Sequence, residues 1–183
     1  MKKLYVLAAI ALLFSGCAAN KKPKPTTQPV VMVSKPMLVT REEWGSKPQP
    51  IDDSHKHTPQ LITIHHNGVN WTPGTDPIKF VRNIQTWGQH RVEENEKAPP
   101  EKKQAKIENW PDLPYHFMIA PDGRIFEGRP LEYEPQSNTN YPLAGHIGVE
   151  LMGNFEHERP SQQQLDSCVA LVAWLCQSQN IDP

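Results

Sequence analysis

The spacing of hydrophobic and polar positions changes several times along the chain, and each change predicts an element. Leu61-Ile62-Thr63-Ile64-His65-His66 is a β-branched run entering a polar loop, which predicts a buried strand. Asp76-Pro77 then opens a helix, because aspartate is a good N-cap and proline suits the first helical position. Phe80, Val81, Ile84 and Trp87 give that helix an apolar stripe. Tyr115 to Ala120 and Arg124 to Glu127 flank the turn sequence Pro121-Asp122-Gly123, which predicts a hairpin. His146 to Met152 reads as a further strand, stopped by Gly153-Asn154. Ser161 with Gln164 three residues later forms a capping box, starting an amphipathic helix that runs to about Ser178. The order strand, helix, hairpin, strand, helix predicts an α/β fold, a single mixed β-sheet flanked by helices.

Outside this domain the pattern differs. Met1-Lys2-Lys3 is positive and Leu4 to Phe14 is an apolar run of 11 residues, too short to cross a ~30 Å hydrocarbon core but suited to a secretory signal. Phe14-Ser15-Gly16-Cys17 resembles the bacterial lipobox, so residues 1–17 are expected to be a lipoprotein signal peptide with Cys17 as the lipidated residue. Residues 18–36, rich in Lys, Pro and Thr, are expected to form a semi-rigid tether of ~3.1 Å per residue. The implied location is the cell envelope, anchored to the membrane through Cys17, at the outer membrane facing the periplasm in a Gram-negative cell. The folded domain is then 37–183, with residues 91–108, dominated by Glu and Lys around two prolines, as a solvated insertion without chemistry.

Composition narrows the function classes. The formal net charge is -1, so no basic field argues for nucleic acid. Cys168 and Cys176 lie on one helical segment, where eight residues rise ~12 Å, too far for a mutual disulfide. Both are expected to be core thiols, facing inward with Leu165, Val169, Val172 and Leu175. Among eight histidines, position matters more than number. Neighbours on a strand point to opposite faces, so only one of His65 and His66, and one of Tyr115 and His116, can face a shared site. On the later strand His146, Gly148 and Glu150 share a face, which sets an imidazole and a carboxylate on one side with a glycine between them.

Four segments, in order, carry a family likeness: Ile64-His65-His66-Asn67, Trp110-Pro111-Asp112-Leu113-Pro114-Tyr115-His116-Phe117, Asp122-Gly123-Arg124-Ile125-Phe126-Glu127-Gly128-Arg129, and Gly145 to Phe155. Together they resemble the N-acetylmuramoyl-L-alanine amidases of type 2, a family that includes the peptidoglycan recognition proteins. Arg41-Glu42-Glu43-Trp44-Gly45 is similar to the lead-in of the recognition-protein branch. The resemblance implies one zinc ion, hydrolysis of the amide between N-acetylmuramic acid and L-alanine, and peptidoglycan or muropeptides as partner. It implies His65 as a metal ligand, Tyr115 and Glu150 as catalytic groups, and Asn67 and His146 as substrate contacts. Zinc lowers the pKa of bound water to ~7 and polarises a carbonyl; Glu150 would take a proton and Tyr115 would donate to the oxyanion.

The family's second histidine and its last ligand, a cysteine or aspartate, follow the final helix, whereas this sequence stops at Asn180-Ile181-Asp182-Pro183. A catalytic zinc site uses three protein ligands, so the domain is expected to be truncated at its C-terminus and the zinc site incomplete. Three readings follow: a piece of a complete zinc amidase, a non-catalytic muropeptide-binding module, or a rearranged site in which His146 and Glu150 join His65. The last requires the strand of residues 146–150 to lie beside that of His65.

Overall fold

Short β-branched and aromatic runs separated by Gly- and Pro-containing turns build a single sheet here, with helices on both faces. The computed structural model describes residues 32–104, 106–138 and 141–183. The signal peptide with Cys17 and most of the tether lie outside the described residues. The strands are β1 (Leu38–Val39), β2 (Leu61–His66), β3 (Phe117–Ile119), β4 (Ile125–Glu127) and β5 (His146–Leu151). The helices are α1 (Arg41–Trp44), α2 (Pro77–Gln89), α3 (Arg91–Lys97) and α4 (Gln162–Gln179). The sheet order is β1-β4-β3-β5-β2. The hairpin pair β3–β4 is antiparallel, while β1–β4, β3–β5 and β5–β2 are parallel. The mixed sheet flanked by helices is the architecture expected from the sequence.

Alternation along the strands divides the interior in two. Phe117, Ile119, Ile125, Ile147, Val149 and Leu151 point to one face and bury against Cys168, Leu171 and Leu175 of α4. Met118 and Phe126 point to the other, where Trp44, Val81, Leu113 and Met152 complete a second cluster under α1 and α2. The lead-in motif is structural: Trp44 is fully buried and donates its indole N–H to the Glu127 carbonyl at 2.7 Å. Arg41 pairs at 2.8 Å with the buried Asp112, which also accepts from Gln85 at 2.7 Å. Buried charges persist when paired in this way. Asp76 caps α2 through the Ile78 N–H as expected.

Three expectations are corrected. The run 61–66, expected to be a buried strand, is the edge strand β2, with Leu61 and Ile64 exposed and none of its residues fully buried. The buried stripe of α4 is Gln164, Cys168, Leu171 and Leu175, while Leu165 and Val169 are exposed and Cys176 is half-buried. Gln164 turns inward because its amide donates to two carbonyls at the ends of β3 and β5, Ile119 at 2.7 Å, which also accepts the Met152 N–H at 2.9 Å, and Met152 at 3.0 Å. Ser161 accepts from the Gln164 N–H, so only half of the capping box forms. Within 91–108, α3 is helical, and Arg91 is buried rather than solvated.

Candidate functional site

Parallel pairing of β2 with β5 sets the site. The register places His65 opposite Glu150 and Glu150 opposite Met118, so all three share the face toward α2. Tyr115 lies just before β3, and its ring meets that of His65 edge-on at a centroid distance of 4.9 Å. The two rings expected to converge therefore do so. Their chain neighbours face away and are structural. His66 accepts from the Phe155 N–H at 2.8 Å, and His116 accepts from the Gly148 N–H at 2.9 Å. Gly148 sits beneath Pro135 and Tyr115, so the room it leaves is filled by protein.

Electrostatics distinguish the three groups. The Nδ1 of His65 lies 3.1 Å from the His66 carbonyl, which can only accept, so that nitrogen carries the proton and Nε2 keeps its lone pair. Burial lowers the His65 pKa, which favours the neutral ring. Glu150 is fully buried, and neither of its oxygens completes a hydrogen bond of good geometry. Burial raises its pKa to about 8, although the adjacent Tyr115 hydroxyl and Asn67 amide pull the other way. Burial first, and then the charge of Glu150, push the Tyr115 phenol well above its ordinary value. At neutral pH the face thus holds a neutral imidazole, a protonated phenol and a carboxyl near its titration point.

The other two candidates stand apart in different ways. Asn67 accepts from Val69 N–H at 3.0 Å and Gly153 N–H at 3.1 Å. Those two bonds fix its carbonyl and leave its buried Nδ2 beside Glu150 without a good hydrogen bond. His146 is on the same face as Glu150, but four residues earlier on β5, or ~13 Å along the strand. It bonds Thr63 at 2.6 Å and lies 5.8 Å from the Tyr141 ring. The strands that a rearranged metal site requires are adjacent, yet that site does not form. Among the described residues no group of three or more His, Cys, Asp or Glu could hold a metal ion. His65 alone offers one lone pair, so the described residues do not fit a zinc ion by themselves.

Sequence reading missed two features around this site. Arg91 lies 3.8 Å over the Trp110 ring and 5.5 Å from that of Trp87. The available signal was Trp87 four residues before Arg91 along the helical segment. His57 and His116 stack at 6.0 Å and fasten the 131–133 segment, donating to the carbonyls of Leu131 and Tyr133, both at 2.9 Å. Burial, with Arg129 and His57 adding to it, lowers the His116 pKa to about 3 against the Tyr133 carbonyl. An unfolded histidine titrates near ~6.5, so between those values the unfolded chain binds the extra proton. Stability is therefore expected to fall as pH drops from about 6.5 toward 3, by up to ~1.4 kcal/mol per pH unit from this group. Nitrogen-15 NMR should find His116 still neutral at pH 5 in the folded protein; a protonated ring there would refute the assignment.

Fold and site define a class: a single-sheet α/β domain presenting an imidazole, a phenol and a buried carboxyl on one face. The model of the N-acetylmuramoyl-L-alanine amidase family matches residues 55–183, and the chain belongs to that family. It is 26% identical over 138 residues to peptidoglycan-recognition protein SD of Drosophila simulans, covering 74% of this chain and 64% of that protein. It is 27% identical over 158 residues to peptidoglycan-recognition protein LB of Drosophila melanogaster, covering 82% and 59%. The chain thus spans less than two thirds of the length of these relatives. Among solved structures, Drosophila recognition protein SD gives a TM-score of 0.61 at 21% identity, covering 81% of this chain and 78% of that one. Wild-type Drosophila recognition protein LB gives 0.59 at 27%, covering 80% and 78%. A tyrosine-to-phenylalanine mutant of that LB protein was solved in complex with tracheal cytotoxin, with a TM-score of 0.58 at 26% identity, covering 80% and 78%.

Proposed function

We propose that this domain acts on peptidoglycan as an N-acetylmuramoyl-L-alanine amidase, cutting the amide between the lactyl group and L-alanine. The observation that carries the reading is the fully buried Glu150 carboxyl, beside the Tyr115 hydroxyl and on one face with the His65 ring. A buried carboxyl with no cationic partner is costly, and a pKa of about 8 suits a group that must exchange a proton near neutrality. Glu150 takes the proton of the attacking water and returns it to the L-alanine nitrogen as the C–N bond breaks, so that the stem peptide leaves as an amine. The Tyr115 phenol, still protonated, donates to the oxyanion as the carbonyl carbon becomes tetrahedral. Zinc is the metal that family membership implies. His65 supplies one ligand and the described residues supply no others, so no step is assigned to the metal. The family assignment and the resemblance to recognition protein LB support muropeptides as the substrate class. The lipobox-like Phe14-Ser15-Gly16-Cys17 at the end of the apolar run supports a lipid-anchored location in the cell envelope.

The lack of a complete ligand set among the described residues favours a second reading, a muropeptide-binding module without hydrolysis. One experiment separates the two. The domain is incubated with muropeptides in zinc or in chelator, and free stem peptide with an L-alanine N-terminus is measured by mass spectrometry. The amidase reading expects release that rises with pH toward about 8 as Glu150 ionises. It expects losses of roughly 10²–10³-fold in Tyr115→Phe and roughly 10²–10⁴-fold in Glu150→Gln. Muropeptide retained in chelator, with no release under either condition, would establish the binding module instead.

A further inference from the structure

A second surface, on α2 and α3, has the chemistry of a carbohydrate site. Asn83, Thr86, Trp87, His90, Glu93 and Glu94 line a pocket of about 380 Å³, within the ~300–1,000 Å³ common for small-ligand sites. The core positions 83, 87, 90 and 94 recur at helical spacing and form one continuous face across the junction of the two helices. An isolated exposed apolar side chain is ordinary; what distinguishes Trp87 is how it is held. It is 43% exposed, yet Trp110 braces it edge-on at 5.4 Å, and Trp110 is itself only 3% exposed. The Trp110 N–H donates to the Gly88 carbonyl at 2.8 Å, and a side chain at Gly88 would come within 3.3 Å of the Trp110 ring. The indole is therefore fixed before any ligand arrives, which removes much of the ordering cost of stacking.

We propose that this face is a sugar-binding subsite, taking one N-acetylhexosamine residue of a glycan strand on the Trp87 indole. A pyranose offers an apolar C–H face and a rim of hydroxyls, and the pocket offers an indole ringed by polar groups. Thr86 and Asn83 can donate, while Glu93, Glu94 and the free Nε2 of His90 accept. That nitrogen is free because His90 Nδ1 donates to the Thr86 carbonyl at 2.8 Å. The two carboxylates disfavour an anionic ligand such as nucleic acid. Arg91 adds to the brace beneath the indole: its guanidinium lies on Trp110 and bonds Asn138 and the Glu108 carbonyl. The choice of sugar rests on the peptidoglycan reading.

The test is an NMR titration of the nitrogen-15-labelled domain with the N-acetylglucosamine trimer. The Trp87 indole N–H and the Asn83 side-chain amide are expected to shift in a saturable way. Trp87→Ala should weaken binding at least tenfold while the indole signal of Trp44, buried elsewhere and bonded to the Glu127 carbonyl, stays in place to report an intact fold. Tyr115→Phe should leave trimer binding unchanged. The inference is overturned if the trimer shifts nothing, if Trp87→Ala binds as tightly as the parent, or if shifts appear only around His65 and Tyr115. A parallel titration with the stem peptide alone reports on the Tyr115 face. Its failure would count against the proposed function and leave the sugar site standing.

Discussion

Glu150→Gln is expected to melt roughly 10 °C or more above the parent at pH 8.5 and within a few degrees of it at pH 5. A free glutamate titrates near 4.5, but burial holds Glu150 in its neutral form up to about 8. Between those values the folded protein keeps a proton that the unfolded chain has lost. Stability therefore declines as pH rises through this window, at up to ~1.4 kcal/mol per pH unit. Glutamine has the same shape and cannot ionise, so the variant escapes the decline. Over the full window from 4.5 to about 8 the loss comes to ~5 kcal/mol; for a domain of this size each kcal/mol moves the melting midpoint by roughly 2–4 °C, which puts the gain at about 10–20 °C at pH 8.5. Melting curves across pH 5–9 measure it directly, without depending on metal or substrate. Parallel curves for parent and variant would show that Glu150 is not a displaced titrating group and would remove the main support for its proposed role. A stabilised variant that has lost its proton acceptor is the usual exchange of stability for activity at a functional site. With the acid-side loss from His116, the two slopes cancel near the middle of the window, and the parent should be most stable at about pH 5–6.

Much of the fold was readable because local chemistry and tertiary contacts agree. The β-branched run 61–66 and the turn Pro121-Asp122-Gly123 give β2 and the β3–β4 hairpin directly, and Gly123 takes the left-handed conformation at φ 84° that the turn needs. Alternation showed that only one of His65 and His66, and one of Tyr115 and His116, can face the site, and the family resemblance chose His65 and Tyr115. The register of β2 against β5 was not readable, because parallel strands joined by a long connection carry no local signal for their alignment. It is that register which sets Glu150 beside His65 and leaves His146 at the far end of the strand. The α4 face was misplaced for another reason. Hydrophobicity marks where apolar groups repeat, whereas Gln164 is buried because its amide bonds two carbonyls at the ends of β3 and β5. The Arg91–Trp110 contact joins residues 19 positions apart, beyond any helical spacing.

Gly128→Ala is expected to be among the most damaging small substitutions in the domain, although the position needs no left-handed backbone. A methyl group there would lie 2.1 Å from the Tyr115 carbonyl oxygen and 3.0 Å from Leu113 Cδ2. The first of these neighbours is backbone and cannot rotate aside. The same stretch is pinned from several directions. Gly128 N–H donates to the His116 carbonyl at 2.7 Å, Arg129 N–H to the Tyr115 carbonyl at 3.0 Å, and His116 N–H to the Gly148 carbonyl at 3.0 Å. Relief of the clash must move the Tyr115 peptide and break part of this set, at a cost of about 3 kcal/mol or more. That corresponds to a drop of roughly 6–12 °C in the melting midpoint. Gly68→Ala is the matched control. Gly68 has φ 73° but nothing within 4 Å of the added carbon, so only backbone strain of about 1–2 kcal/mol applies. Calorimetry on the two variants decides between crowding and backbone strain, since equal losses would mean that the Tyr115 peptide yields freely. A folded Gly128→Ala protein should also lose the ring-to-ring nuclear Overhauser contact between Tyr115 and His65. That loss would show the glycine acting on the site through the position of the Tyr115 backbone.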